Sequence, residues 1–142
     1  MIDVGGKEDS ERAARAYGEI KLGKDSLQAI GEGKVKKGDA LECAKVAGTM
    51  AVKRIHELVP YCHQVPLHYI GFDFSIKEQT IECVCEVKAH YRTGVEMEAL
   101  LGVEIALLTI WDMVKYIEKD EKGQYPATEI SCIKVLEKKK DI

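Results

Sequence analysis

The segment Tyr69–Ala89, YIGFDFSIKEQTIECVCEVKA, decides the fold class, because two runs of alternating apolar residues meet at a short polar connection. In the first run every second residue from 70 to 76 is Ile or Phe, and in the second Ile81, Cys83, Cys85 and Val87 alternate with mostly charged residues. A period of two is typical of strands with one buried face, and the four residues KEQT suit a hairpin. We therefore predict two antiparallel strands.

Upstream of the hairpin the sequence predicts one strand and two helices. Residues 16–22 (AYGEIKL) alternate as a half-buried strand, and residues 24–30 (KDSLQAI) predict a short helix. Asp39, with a glutamate three residues later, forms a capping-box pattern that opens a helix over 40–59, which the next proline ends. Small residues along one face of that helix allow a neighbouring element to approach closely.

Downstream of the hairpin the longest helix is predicted over 96–119, and its apolar residues surround most of its circumference. Residues 128–138 (TEISCIKVLEK) predict a closing strand, and KKKDI at 138–142 predicts a solvated tail. The order of elements predicts an α+β fold, a ferredoxin-like split β-α-β-β-α-β antiparallel sheet with helices packed on one face and an extra N-terminal helix. We find no repeat or linker and predict a single domain over 1–142.

Composition restricts the class of protein and of partner. With 46% apolar residues in 142, the chain can build one core, and five cysteines, an odd number, favour reduced thiols. A net charge of −3 argues against a general nucleic-acid binder. The N-terminal MIDVGGKEDSERAAR has no apolar stretch that could serve as a signal sequence, so we predict a cytoplasmic protein without membrane or nucleic-acid partners.

The loop 58–67, LVPYCHQVPL, places Cys62 and His63 between two prolines. A structural zinc site needs paired ligands at recurring spacings, and the other pair, Cys-x-Cys, is explained more simply as two buried strand cysteines. Adjacent residues of an extended segment point to opposite sides, which argues against a direct Cys-His nucleophilic dyad. We therefore predict no metal, and the residues alone leave His63 as either a functional ligand or an ordinary loop histidine.

The long predicted helix carries charges where packing alone would not place them. Asp112 and Lys115 lie three residues apart on one face of a mainly apolar segment, and such a pair is either an exposed ion pair or a functional one. Glu96 and Glu98 stand at the helix start, where the helix dipole favours carboxylates.

Five segments of the chain, in order, resemble the motifs of the cyclic pyranopterin monophosphate synthase family, the MoaC family. They are MIDVGGKEDSERAARA (1–16), KKGDALECAKVAGTMAVKR (36–54), LVPYCHQVPL (58–67), TGVEMEALLGVEIALLTIWDMVK (93–115) and VLEK (135–138). The resemblance covers nearly the whole chain.

The resemblance implies an enzyme, a phosphorus-oxygen lyase that converts 3′,8-cyclo-7,8-dihydro-GTP to cyclic pyranopterin monophosphate and releases diphosphate. This is the second step of molybdenum cofactor biosynthesis. The resemblance also implies a nucleotide-derived triphosphate as substrate, no cofactor, and a homohexamer, a trimer of dimers, with its sites at the dimer interface.

Twelve positions of this chain match functional positions of the family. The resemblance implies that Asp112 and Lys115 are catalytic. The residues that it places at the substrate are Arg12, Lys37, Lys53, Tyr61, Cys62, His63, Glu96, Met97, Glu98 and Lys138. Together they supply cations for a triphosphate, and a carboxylate and an amine for proton transfer.

Two stretches depart from the family's pattern. A glycine-rich ending usually follows the last lysine, whereas this chain continues after Lys138 as KKDI. The connection 119–131 (KDEKGQYPATEIS) is longer than usual, although no implied site residue falls in it.

Two other classes of function remain open on the residues alone. A metal- or redox-sensing module would use Cys62, His63, Cys83 and Cys85, whereas a non-catalytic interaction domain would use the apolar long helix as its contact surface. Neither would need the charged pair of that helix.

Overall fold

The computed structural model describes residues 1–141 and contains one open antiparallel sheet. The strands are β1 (Ser10–Lys21), β2 (Leu67–Ile76), β3 (Thr80–Tyr91) and β4 (Glu129–Lys140). They lie side by side in the order β2-β3-β1-β4, and each neighbouring pair is antiparallel. This is the strand order of the split β-α-β-β-α-β arrangement, so the predicted ferredoxin-like α+β class is confirmed.

Four helices connect the strands. They are α1 (Lys24–Gly31), α2 (Ala40–Val52), α3 (Ile55–Leu58) and α4 (Glu96–Glu118). The short helix α1 follows β1, and no helix precedes that strand in residues 1–141, so an extra helix N-terminal to the sheet is not confirmed. Within the same residues, no helix combines the length and the apolar character needed to cross a membrane.

The prediction of a single helix over 40–59 is wrong, because the structure has two helices there, α2 and α3. Its start is as predicted, since the Asp39 carboxylate accepts a hydrogen bond from the backbone N–H of Glu42 at 3.0 Å. At the break Arg54 adopts φ −118° and ψ 13°, outside the helical region. Residues 53 and 54, between the two helices, are neither glycine nor proline, so we attribute the end of α2 to tertiary packing. Ile55, the first residue of α3, is buried.

Two strands are longer than the apolar alternation indicates. β1 begins at Ser10 rather than at residue 16, and β4 continues to Lys140. The side chains of residues 138–140 are exposed, as expected for a solvated tail, but their backbones pair with residues 12–14 of β1. A lysine run at a sheet edge satisfies backbone hydrogen bonds without apolar side chains, so the pattern of apolar residues does not reveal it.

The core lies between the sheet and the two long helices, α2 and α4. Alternate residues of β1 and β3 are fully buried there, among them Ile20, Cys83 and Cys85. The buried position of both strand cysteines is thus confirmed. Burial, with a smaller contribution from the charge of Asp73, raises the pKa of Cys83 to about 12, and burial raises that of Cys85 further, so both stay neutral thiols.

Helices α2 and α4 approach each other through glycines. A Cβ atom added to Gly48 of α2 would lie 2.5 Å from the Phe72 ring and 3.0 Å from the backbone oxygen of Gly102 in α4. The small-residue face predicted for α2 is therefore the surface that receives α4. This contact fixes where the α4 side chains stand relative to the sheet.

Gly48→Ala is expected to destabilise the protein by about 1–3 kcal/mol, because the added methyl overpacks a contact made by backbone and ring atoms. Urea unfolding at fixed protein concentration measures the change. Gly31→Ala is the control, since nothing lies within 4 Å of a Cβ atom there, and its effect should stay within about 0.5 kcal/mol. Equal stability of the two variants would contradict the close approach.

Candidate active site

A cleft of about 470 Å³ opens where α4 begins beside β1 and β4. Eight of the twelve predicted site residues line it. They are Arg12, Tyr61, Cys62, His63, Glu96, Met97, Glu98 and Lys138. These residues come from β1, from the proline-bounded loop, from the first turn of α4 and from β4. The cleft therefore joins four segments that are far apart in the sequence.

His63 is held by the N-terminal segment of the chain. Its Nε2 atom lies 2.8 Å from the backbone oxygen of Ile2. A carbonyl oxygen only accepts hydrogen bonds, so Nε2 carries the hydrogen and Nδ1 of the neutral ring is left as an acceptor. The Ile2 carbonyl thus selects the tautomer with the hydrogen on Nε2 and orients this imidazole.

Arg12 is a buried cation that forms no ion pair with another side chain of residues 1–141. Its side chain is 8% exposed and donates to the backbone oxygens of Tyr91 and Arg92, at 3.4 and 3.3 Å. Among residues 1–141 no carboxylate lies within 4.0 Å of its guanidinium. An arginine stays charged when buried, so this position favours an anion in the cleft.

Glu96 and Lys138 form an ion pair across the cleft wall, with 2.6 Å between Oε1 and Nζ. Burial alone would raise the pKa of Glu96, but the hydrogen bond from Lys138 and the helix-start backbone outweigh it and hold that pKa below its ordinary value. Glu96 is therefore ionised, and it orients Lys138 on β4.

Glu98, in the first turn of α4, lines the cleft and is 2% exposed. Burial, and next to it the nearby charge of Glu96, raises the pKa of Glu98 to about 7. The Cys62 thiol is 4.0 Å from Glu98 Oε1, and burial together with this carboxylate raises the pKa of Cys62. Glu98 can therefore take up or release a proton near neutral pH, whereas Cys62 is a neutral neighbour.

Lys53, at the end of α2, lies outside this cleft. It lines a smaller cavity of about 130 Å³ together with His56, and Glu98 belongs to the walls of both cavities. Lys53 and Arg12 therefore line different cavities, and Glu98 belongs to the wall between them.

The remaining three predicted residues form a separate cluster on the surface, hereafter the Asp112 cluster. Lys37 Nζ lies 3.1 Å from Asp112 Oδ2 and 2.9 Å from its backbone oxygen, and Lys115 Nζ lies 3.1 Å from Oδ1. The hydrogen bonds from Lys37 and then Lys115 lower the pKa of Asp112. In the single chain all three side chains are at least 41% exposed, so the pair is an exposed ion pair.

One chain does not bring the Asp112 cluster to its own cleft. Glu98 and Asp112 are on the same helix, and their separation of 14 residue steps corresponds to about 21 Å at 1.5 Å per residue. A nucleotide-sized ligand in the cleft is therefore out of reach of the Asp112 carboxylate of the same chain.

Lys7 lies in the cleft although the sequence did not single it out. Its only signal is its place in the N-terminal segment that resembles the family, because one lysine in an exposed loop has no distinguishing pattern. The N-terminus of the 23-residue helix α4 also faces the cleft through Thr93 and Gly94, and such a helix end favours anions.

Among residues 1–141 the structure does not bring together the four residues of the alternative metal- or redox-sensing site. Cys83 and Cys85 are sealed in the core, whereas Cys62 and His63 line the cleft. Across residues 1–141 no three His, Cys, Asp or Glu side chains are placed to hold one metal ion. The four residues therefore do not act together.

The sequence matches known proteins over almost its whole length. The model of the MoaC family matches residues 1–141. A protein of Sulfolobus acidocaldarius is 55% identical over 138 residues, which cover 97% of this chain and 96% of that protein. Proteins of Pyrococcus furiosus and Archaeoglobus fulgidus are 53% and 51% identical, and the matches cover 99% of this chain and 90% of each of theirs.

All three relatives are named probable cyclic pyranopterin monophosphate synthase, which is the name of an enzyme. These matches confirm the family resemblance and the prediction from the sequence that the protein is an enzyme. With a family model that spans residues 1–141 and relatives more than half identical, this chain belongs to the MoaC family.

Proposed function

We propose that this protein is a cyclic pyranopterin monophosphate synthase in molybdenum cofactor biosynthesis. It converts 3′,8-cyclo-7,8-dihydro-GTP to cyclic pyranopterin monophosphate and releases diphosphate. The observation that carries this proposal is the cleft, which brings the buried Arg12, unpaired among residues 1–141, together with Glu98, whose pKa burial raises to about 7. The names of the relatives agree with it.

Binding of the substrate follows from the charge in the cleft. A triphosphate carries about four negative charges, which need several direct donors. Arg12, Lys7 and Lys138 supply cations, and the start of α4 adds its dipole. His63, fixed by the Ile2 carbonyl, presents an imidazole nitrogen to the ligand. These residues therefore orient the nucleotide with its phosphate groups toward Arg12.

The chemistry needs proton transfer as well as binding, because one ring of the substrate opens and another closes. Glu98 can hold a proton near neutral pH in a buried site, which suits a general acid or base. Asp112 and Lys115 are the proposed catalytic pair, a carboxylate and an amine in contact. Lys37 orients Asp112 through two hydrogen bonds, and Lys53 adds positive charge behind Glu98.

We propose that each site combines the cleft of one chain with the Asp112 cluster of another, because the two are about 21 Å apart within one chain. Val46 and Met50 of α2 and Leu108 of α4 are 50–55% exposed, so both helices present apolar surface for such a partner. A homohexamer built as a trimer of dimers would satisfy this requirement. A single domain and a cytoplasmic location stay predictions.

The direct test is turnover of the authentic substrate. Purified protein supplied with 3′,8-cyclo-7,8-dihydro-GTP and no reductant should release diphosphate and form the cyclic phosphate pterin. Both products should appear in equal amounts, measured by chromatography and a coupled diphosphate assay. GTP itself is the control and should give neither product. No diphosphate from the authentic substrate would reject the proposal.

The raised pKa of Glu98 predicts a pH-dependent stability effect. Between its ordinary value of 4.5 and about 7, the folded protein binds a proton that the unfolded chain has lost, so stability falls as pH rises through this window. Glu98→Gln removes the burial of charge and should stabilise the protein by about 3 kcal/mol at pH 8.5, with little effect at pH 4.5.

Urea unfolding at both pH values, at one protein concentration, measures this effect. Glu104→Gln is the matched control, because Glu104 is exposed on the same helix and its replacement should change little at either pH. A stability difference for Glu98→Gln that is the same at both pH values would show that folding does not raise the pKa of this carboxyl.

A further inference from the structure

The turn over residues 35–38 lies between α1 and α2 and carries Lys37, which contacts Asp112 of α4. Its backbone closes through a hydrogen bond from the Gly38 N–H to the Val35 oxygen at 3.1 Å. Gly38 adopts φ 118°, a value that favours glycine. Val35 is buried, so the turn is fixed in the core at its first residue, whereas the two lysines at its centre are exposed.

Tyr116 of α4 contacts the exposed part of this turn. Its hydroxyl oxygen accepts a hydrogen bond from the backbone N–H of Lys36 at 2.8 Å. The Lys36 ammonium lies 5.3 Å from the centroid of the same ring, within the range of a cation–π contact. One side chain of α4 therefore holds both the backbone and the side chain of the residue that precedes Lys37.

Tyr116 also lies next to the carboxylate that Lys37 contacts. Residues three and four positions apart are neighbours on the surface of a helix, so Lys115 and Tyr116 both neighbour Asp112. The turn is thus attached to α4 within one helical turn of the Asp112 carboxylate. This attachment places the backbone of Lys37 where its side chain reaches that carboxylate.

The ion pair between Lys37 and Asp112 contributes little to holding the turn in place. Both side chains are at least 41% exposed, and exposed ion pairs are weak because water screens the charges and a long side chain must be ordered. The hydrogen bond to Tyr116 fixes the backbone one residue before Lys37. Only the lysine side chain is then left to be ordered, which lowers the entropic cost of the contact.

We propose that Tyr116 is a positioning residue for the reaction: by anchoring the 35–38 turn to α4, its hydroxyl holds Lys37 against the Asp112 carboxylate. Tyr116 acts through Lys37 and not on the substrate. This inference rests on the proposed function for the catalytic role of Asp112. The twelve residues selected by the family resemblance do not include Tyr116.

Tyr116→Phe tests the anchor, because it removes only the hydroxyl and keeps the ring beside Lys36. Tyr116 is 38% exposed, so the fold should persist, which circular dichroism checks. Hydrogen bonds from Lys37 and then Lys115, the two charged groups that face Asp112, hold its pKa below the ordinary value. Carbon-13 NMR titration of this carboxyl should therefore show a higher pKa in Tyr116→Phe, with a larger rise in Lys37→Ala.

Turnover assays show whether Tyr116 acts through Lys37. Tyr116→Phe should lower kcat severalfold, up to about tenfold, as for the loss of one hydrogen bond, and should lower kcat more than it raises KM. The double variant Tyr116→Phe/Lys37→Ala should have the kcat and the Asp112 pKa of Lys37→Ala alone. A merely structural role would instead lower kcat by the same factor whether or not Lys37 is present.

Tyr69→Phe is the matched control. Tyr69 of β2 is also exposed, and the Lys88 ammonium lies 5.0 Å from its ring centroid. It does not line the cleft and is not part of the Asp112 cluster. The same chemical change there should leave kcat within about twofold of the wild type and should not alter the pKa of Asp112.

The NMR titration needs no turnover, so the outcomes separate this inference from the proposed function. An Asp112 pKa that is the same in Tyr116→Phe and in the wild type, or multiplying losses of kcat in the double variant, would overturn the anchor. Turnover by the wild type would then keep the proposed function. A raised Asp112 pKa in Tyr116→Phe, in a protein that does not turn over the authentic substrate, would retain the anchor and overturn the proposed function.

Discussion

Asp112→Asn is expected to lower kcat by at least about two orders of magnitude while substrate affinity changes far less. Asparagine keeps the size of the side chain and can still accept hydrogen bonds from Lys37 and Lys115, but it has no negative charge and no basicity. The helix should persist, because Asp112 is exposed and makes no core contact. Single-turnover kinetics and calorimetric binding separate the two effects.

Asp73→Asn is the matched control for this substitution. Asp73 is exposed on β2, away from both the cleft and the Asp112 cluster, so the same chemical change there should leave kcat within about twofold. A fully active Asp112→Asn enzyme with an unchanged circular-dichroism spectrum would refute the catalytic role.

The partner of Asp112 should behave as part of the same unit. Lys115 Nζ contacts Asp112 Oδ1 directly, so we expect Lys115→Ala to reduce kcat to a similar extent. The double variant should be little worse than the worse single one, as for residues that act on one step. Independent, multiplying losses would indicate that the carboxylate and the amine serve different steps.

Mixing two inactive variants is expected to restore activity to about one quarter of the wild-type value. His63→Ala damages the cleft, and Asp112→Ala damages the cluster. If each site takes its cleft from one chain and its cluster from another, a mixed dimer has one doubly damaged and one intact site. Random assortment makes half of the dimers mixed, so about a quarter of all sites are intact.

Co-expression of differently tagged chains gives this assortment, and sedimentation verifies that the chains associate. Asp112→Ala mixed with Lys115→Ala is the control, because every cluster then carries one of the two changes and no activity should return. No recovery with His63→Ala, or a stable monomer at micromolar concentration, would place both halves of the site in one chain and contradict the shared-site proposal.

The order of elements could be predicted from the sequence because it depends on local periodicity. Alternation at 70–76 and 81–87 fixed the hairpin, and the buried positions of Cys83 and Cys85 followed from it. Asp39 marked the start of α2 through its side-chain cap. The break after Val52 could not be predicted in this way, because no residue there is a poor helix former and only packing ends the helix.

For the site, too, the sequence predicted the identity of most residues, whereas their surroundings are known only from the structure. The family resemblance selected twelve residues, and eight of them meet in one cleft. Their burial and charge state could not be predicted, because Glu98 and Glu104 are chemically identical and only the surroundings of Glu98 raise its pKa. Lys7 had no pattern of its own and was found only through the cleft that it lines.

The sequence by itself therefore determined the fold class, the family and the types of side chain at the site, since each depends on residue identity and spacing along the chain. The tertiary structure alone decided which of those side chains meet. It placed Arg12 beside Lys138 and Lys140 by strand register, and it left Asp112 about 21 Å from Glu98 on a rigid helix. Distances between segments arise from packing, which spacing along the chain does not encode.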